Sequence, residues 1–166
     1  FNNEVVFVDG LSYYSIDNNL LSEATFDGTN WSYSDSNSIR NFGTYKLVAT
    51  SLNDSNYTIN TNTTTLDSFK ILQRKLILTW SNDSCTNGCI YNASAHTVSI
   101  TSTGDISNNM GLVDDETIAS IISLTNNSNV NAGTYTATAK ISETGNYYFV
   151  DSEGKTAYVE TYDYSI

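Results

Sequence analysis

Apolar and polar residues alternate with a period of two along most of this chain. In residues 44–50, Tyr45, Leu47 and Ala49 alternate with Thr44, Lys46 and Val48, which predicts a strand with one buried face. The same pattern returns ninety positions later. Residues 131–149, NAGTYTATAKISETGNYYF, align without a gap to residues 41–59, NFGTYKLVATSLNDSNYTI, with seven identities in nineteen. The identities are Asn41/Asn131, Gly43/Gly133, Thr44/Thr134, Tyr45/Tyr135, Ala49/Ala139, Asn56/Asn146 and Tyr57/Tyr147. Chance pairing gives about one or two, so the stretch is an internal repeat and sets the domain organisation.

Each copy reads as a β-hairpin. A strand from Thr44 or Thr134 is followed by a five- or six-residue loop, and Tyr57/Ile59 or Tyr147/Phe149 return with period two. Gly43 and Gly133 stand before the strand, where a positive φ or a close backbone approach is expected. Upstream, residues 5–15 are apolar around Asp9-Gly10, a turn signal between strand formers, and residues 90–100 are the matching segment of the second half. Short strands are predicted at 24–26 and 31–33 around a turn at Asp27-Gly28. Residues 68–72 and 75–80 alternate on either side of Gln73-Arg74, and this short, glycine-free junction favours a stiff connection over free tumbling. Residues 110–124 are the only helix-like stretch, read as a short helical turn before a strand. The closing segments are 155–159 and 160–166. Strands of five to eight residues with recurring turns predict an all-β protein of two β-sandwiches with little helix, spanning residues 1–72 and 73–166. The first repeat reads as shortened at its N-terminal side, and the chain as a piece of a longer protein.

Composition narrows the function. The 166 residues are 39% hydrophobic and 12% aromatic, which is enough for packed cores and too much for a disordered linker. Twelve tyrosines favour strands. A net charge of −11 with only seven Lys and Arg leaves no basic footprint for nucleic acid or for an anionic membrane surface. The charge itself reads as a solubility device. No apolar run approaches the roughly 20 residues of a membrane span. Seven Asn-x-Ser/Thr sequons occur, but 21 asparagines among so many Ser and Thr yield nearly as many by chance, so they carry no information.

The phrase N-x-G-T-Y-x-x-x-A, a short loop, then N-Y-x-[IF] resembles the closing hairpin of immunoglobulin-like repeats in large bacterial surface proteins, the MBG or YDG-type domains. Tyr91-Asn92-Ala93 and Val8-Asp9-Gly10 are similar to that family's Tyr-Asp-Gly turn, and residues 71–76 to its inter-repeat strand. The resemblance implies two tandem Ig-like sandwiches in a secreted, cell-surface, adhesin-like protein. It implies neither catalytic residues nor a cofactor. Its expected partners are neighbouring repeats of the same chain, with a host glycan or matrix protein as the alternative. The lack of proline and the cysteine pair depart from the pattern.

Candidate chemistry is sparse. Cys85 and Cys89 flank Thr86-Asn87-Gly88; a small loop disulfide in an oxidising compartment is favoured, with free thiols or a metal as alternatives. A five-residue ring constrains little chain entropy and shapes the loop more than it stabilises the domain. His96 is the only histidine and lacks any nucleophile-elbow context, so it reads as a strand residue. Asp105, Asp114, Asp115 and Glu116 lack calcium-loop spacing and read as a solvated acidic loop. Among the aromatics Trp31, Tyr33, Tyr147, Tyr148, Tyr162 and Tyr164, Trp31 sits in a polar stretch and is the best candidate for a ligand-facing ring.

Overall fold

The computed structural model describes residues 5–35, 39–60, 65–82, 88–113 and 116–166. The chain divides into two compact units, Phe1–Leu72 and Gln73–Ile166. Both are built from strands, and the described helical pieces are two short turns in the second, so the protein is all-β.

In the first unit, β1 (Val8–Ser15), β2 (Leu20–Phe26), β3 (Trp31–Tyr33), β4 (Gly43–Leu52) and β5 (Thr65–Ile71) form one antiparallel sheet in the order β3-β2-β1-β4-β5. The turn at Asp27-Gly28 forms because the Asp27 carboxylate accepts the N–H groups of Thr29 and Asn30, both at 2.8 Å, while Gly28 takes a φ of 99°. Asp9-Gly10 behaves differently from the expected turn. It lies inside β1, which runs on against β4 with register shifts on both sides of Gly10. The reason is a close approach: a Cβ on Gly10 would stand 2.3 Å from the Ser51 Oγ.

The second unit contains β6 (Arg74–Lys75), β7 (Leu78–Asn82), β8 (His96–Ser102), a 3-10 turn (Ile106–Asn108), α1 (Ile118–Ile121), β9 (Ser123–Thr125), β10 (Ser128–Asn129), β11 (Thr134–Lys140), β12 (Tyr147–Val150), β13 (Thr156–Ala157) and β14 (Val159–Ser165). Three sheets result, ordered β10-β8-β7, β14-β11-β9 and β13-β12-β6. Within residues 90–100, expected to match residues 5–15, strand β8 begins only at His96. The segment that pairs with the repeated strand in this unit is β9, where Leu124 faces Ala139 as Leu11 faces Ala49 in the first. Residues 90–100 are therefore not the structural counterpart of residues 5–15.

The expected hairpin of the repeat is absent. β11 pairs with β14 and β9, whereas β12 pairs with β13 and, in parallel, with β6. The chain leaves one sheet after Lys140 and enters another. This crossing places Tyr147 and Phe149, 2% and 1% exposed, in one core with Leu76, Ile122, Ala139 and Ile141. Burying each such side chain contributes about 1.5–3 kcal/mol, which a hairpin at the rim would forgo. A second cluster joins Val98 of β8 to Ala137 and Tyr164, with Trp80 touching both clusters. In the first unit the corresponding Tyr57 is exposed and residues 57–60 form no strand.

The repeated residues N-x-G-T-Y build one local device twice. Tyr45 Oη donates to the Asn41 carbonyl at 2.6 Å, and Tyr135 Oη donates to the Asn131 carbonyl at 2.9 Å. Each ring lies back over the glycine two residues upstream. This tyrosine, bonded four residues back at the start of a strand, has the form of the tyrosine corner of β-sandwich domains.

Candidate functional site

Cross-strand register places Leu11, Tyr13, Ala24, Phe26, Trp31, Tyr33, Tyr45, Leu47 and Phe69 on one face of the first unit's sheet. Two aromatic chains run across it. Phe7 meets Phe26 edge-on with centroids 5.9 Å apart, and Phe26 meets Trp31 at 5.2 Å. Tyr13 lies 6.1 Å from Tyr33 and 6.4 Å from Phe69, and Phe69 stacks on Tyr45 at 5.3 Å. Burial raises the Tyr13 phenol above its ordinary pKa, with the neighbouring Tyr33 adding to the effect. Ala24, Tyr45 and Ala49 are buried, but Tyr13, Phe26, Trp31, Leu47 and Phe69 are only half-buried and Tyr33 is exposed.

Trp31 thus belongs to an aromatic surface rather than standing alone. The rest of that surface escaped the sequence reading because Tyr13, Phe26 and Phe69 come from separate strands, with Phe7 just before the first of them, and only the strand order unites them. Tyr147 and Tyr164 are core residues, 2% and 4% exposed, and offer no free ring face, while the half-buried Tyr162 stacks one face on Trp80 at 5.4 Å.

The remaining candidates do not converge. Cys89 is buried and disulfide-bonded, while Cys85 lies outside the described residues. His96 opens β8 opposite Asn129, is 9% exposed, and its Nε2 has no hydrogen-bond partner among the described residues. Asp105 folds onto its own turn, accepting from Ser107 Oγ at 2.5 Å and Asn108 Nδ2 at 2.6 Å. Those bonds, the Ser107 hydroxyl first, hold its carboxyl below the usual value. Asp114 and Asp115 lie outside the described residues. Glu116 accepts a hydrogen bond from Tyr147 Oη, which also accepts the Val113 N–H at 3.1 Å. Among the described residues no three His, Cys, Asp or Glu side chains come together as a metal site. No described helix is long and apolar enough to cross a membrane. Among the described residues, three surface clefts of about 210 to 270 Å³ fall below the roughly 300–1,000 Å³ of small-molecule sites. No family model, curated protein or solved structure matches the chain.

Proposed function

We propose that this chain is a non-catalytic structural segment of a bacterial cell-surface, adhesin-like protein, in which tandem Ig-like β-sandwich repeats act as a spacer. The observation that carries the reading is the same tyrosine corner built twice from the same residues, Tyr45 on Asn41 and Tyr135 on Asn131. A unit repeated for its framework rather than for a reactive site is what an array of spacers requires. The junction supports it. Gln73 is fixed within the second unit, its Nε2 donating to the carbonyls of Gly145 at 2.9 Å, Glu143 at 3.1 Å and Tyr147 at 3.3 Å. Only Leu72 separates it from the end of β5. In this reading, β-domains in series hold a distal binding part away from the cell envelope, and the partners are neighbouring repeats.

The alternative is a carbohydrate- or host-protein-binding module, favoured by the half-open aromatic face around Trp31 and Tyr33. A glycan-array and matrix-protein screen of the whole chain separates the two. Blank arrays are expected. Saturable binding lost in Trp31→Ala would replace the spacer reading with the binding one.

A further inference from the structure

We propose that the aromatic face of the first unit is an acceptor for an extended segment of the kind that residues 73–82, with β6 and β7, form in the second unit. The inference rests on the internal repeat and not on the spacer reading. In the second unit this one segment completes the fold at several levels. Arg74 N–H donates to the Asn146 carbonyl at 2.7 Å and Leu76 N–H to the Tyr148 carbonyl at 2.8 Å, adding β6 in parallel to β12. The Gln73 amide ties down the carbonyls before and within β12. Leu76 enters the core beside Tyr147 and Phe149, and Leu78 and Trp80 pack onto the same cluster. Trp80 also reaches the second cluster, where Ala137 is fully buried and Tyr164 is 4% exposed.

The gapless repeat assigns each of these receptors a counterpart in the first unit. Asn146 and Tyr148 correspond to Asn56 and Thr58, both exposed. Tyr147 corresponds to Tyr57, whose exposure is 58% against 2%. Ala137 corresponds to Leu47, and the register of β4 with β5 makes Phe69 the counterpart of Tyr164; both are half-buried. All described strands of the first unit lie in a single sheet, so among the described residues no second layer supplies what residues 73–82 supply in the other unit. The second unit identifies the occupant by its chemistry. It is a strand with a side-chain amide, two cationic residues, then large apolar residues at every second position, as in Gln73, Arg74, Lys75, Leu76, Leu78 and Trp80. Its positive charge complements residues 1–72, where eight acids stand against three bases. The mode is strand addition, in which main-chain bonds give affinity and alternate side chains give specificity. The source of the strand is another repeat of the same kind.

The test is calorimetric titration of the whole chain with a synthetic peptide of residues 73–82, followed by amide-resolved hydrogen exchange. Saturable one-to-one binding is expected, with new protection at residues 56–59 and unchanged protection at residues 147–150. A peptide carrying Leu76→Asp and Trp80→Asp should bind at least about tenfold more weakly, because it buries charge where apolar contact is needed. Tyr57→Ser, an exposed position that leaves folding intact, should weaken binding of the unmodified peptide in the same direction. The proposal is overturned by absence of binding, or by protection appearing only in the second unit. Self-association of the chain that covers the aromatic face without protecting residues 56–59, or a glycan that the peptide fails to displace from Trp31, would overturn it equally.

Discussion

Tyr147 gives the sharpest test of the packing described above. Its ring is core, but its hydroxyl serves two neighbours, donating to Glu116 and accepting the Val113 N–H. Burial first, and then the Glu116 carboxylate, push the phenol up to about 12, against the small opposing effects of Val113 and Arg74. Tyr147→Phe keeps the ring and removes both bonds. Two hydrogen bonds, one to a half-exposed carboxylate that water can resolvate, are worth together about 1.5–3 kcal/mol at neutral pH.

The pH dependence supplies a second, independent signature. The folded pKa lies above the unfolded value of 10.0, so the neutral phenol is favoured in the native state. The associated stability is fully present below about pH 10 and is lost as pH rises through about 12. The gap between the two values corresponds to at most about 2.7 kcal/mol, and solvent screening at the half-exposed Glu116 carboxylate reduces this to about 1–2 kcal/mol. Stability should therefore fall more steeply in the parent than in Tyr147→Phe above about pH 10. Urea unfolding is followed by Trp80 emission in a Trp31→Phe background, so that only the second unit reports. Other tyrosines and lysines titrate in both proteins and cancel in the difference. A difference that is the same at about pH 8 and about pH 11.5, or that is already zero at about pH 8, would refute the account of this hydroxyl.

Four further outcomes follow from the geometry. Tyr45→Phe and Tyr135→Phe should each cost about 1 kcal/mol, the first read by Trp31 emission and the second by Trp80; a loss read only by the other tryptophan would contradict the local role of the corner. Gln73→Ala removes three bonds to main-chain carbonyls and the acceptor for Tyr158 Oη at 2.9 Å, so urea titration should find the second unit weaker by about 2–4 kcal/mol. Gly111→Ala should be far worse than Gly28→Ala in thermal melts: both glycines have positive φ, but a Cβ on Gly111 would stand 2.2 Å from the Gly104 Cα, whereas Gly28 has open space. Asp105 has a folded pKa below its unfolded value, so its contribution is present above about pH 4 and lost as pH falls through the folded value; melting curves of Asp105→Asn and the parent should converge on acidification, and curves that stay equally separated would rule this out.

Much of the framework was legible because it depends on local chemistry. The corner uses Asn41, Gly43 and Tyr45 within five residues, and the repeat displayed the same three at Asn131, Gly133 and Tyr135. Alternation marked Tyr45, Leu47 and Ala49 as one buried face; Tyr45 and Ala49 are buried and Leu47 is half-buried. Strand pairing was not legible. Sequence neighbours default to hairpins, since consecutive strands usually lie side by side, and nothing in the loop of residues 141–146 announces that β12 will pair with β6, about seventy residues upstream. Asp9-Gly10 has turn chemistry, yet its register with Ser51 makes it a bulge. Trp31 was conspicuous among polar neighbours, while Phe26, opposite it in the sheet, was not.

The two copies of the repeat act as a natural experiment on what makes a strand. Residues 56–59 and 146–149 share Asn and Tyr at their first two positions, and both follow the same strand and corner. Only the second copy forms a strand and buries its tyrosine. Propensity cannot decide this, because Asn-Tyr-Thr-Ile is at least as β-prone as Asn-Tyr-Tyr-Phe. What differs is the ladder. β12 has β13 on one side and β6 on the other, and its tyrosine lies against Leu76. A strand at a sheet edge gains little from its own sequence and much from the neighbour that satisfies its amides and covers its apolar face. By that logic the open conformation of residues 56–59 is set by a missing partner and not by an unsuitable sequence. Supplying the partner should convert the first copy into the second.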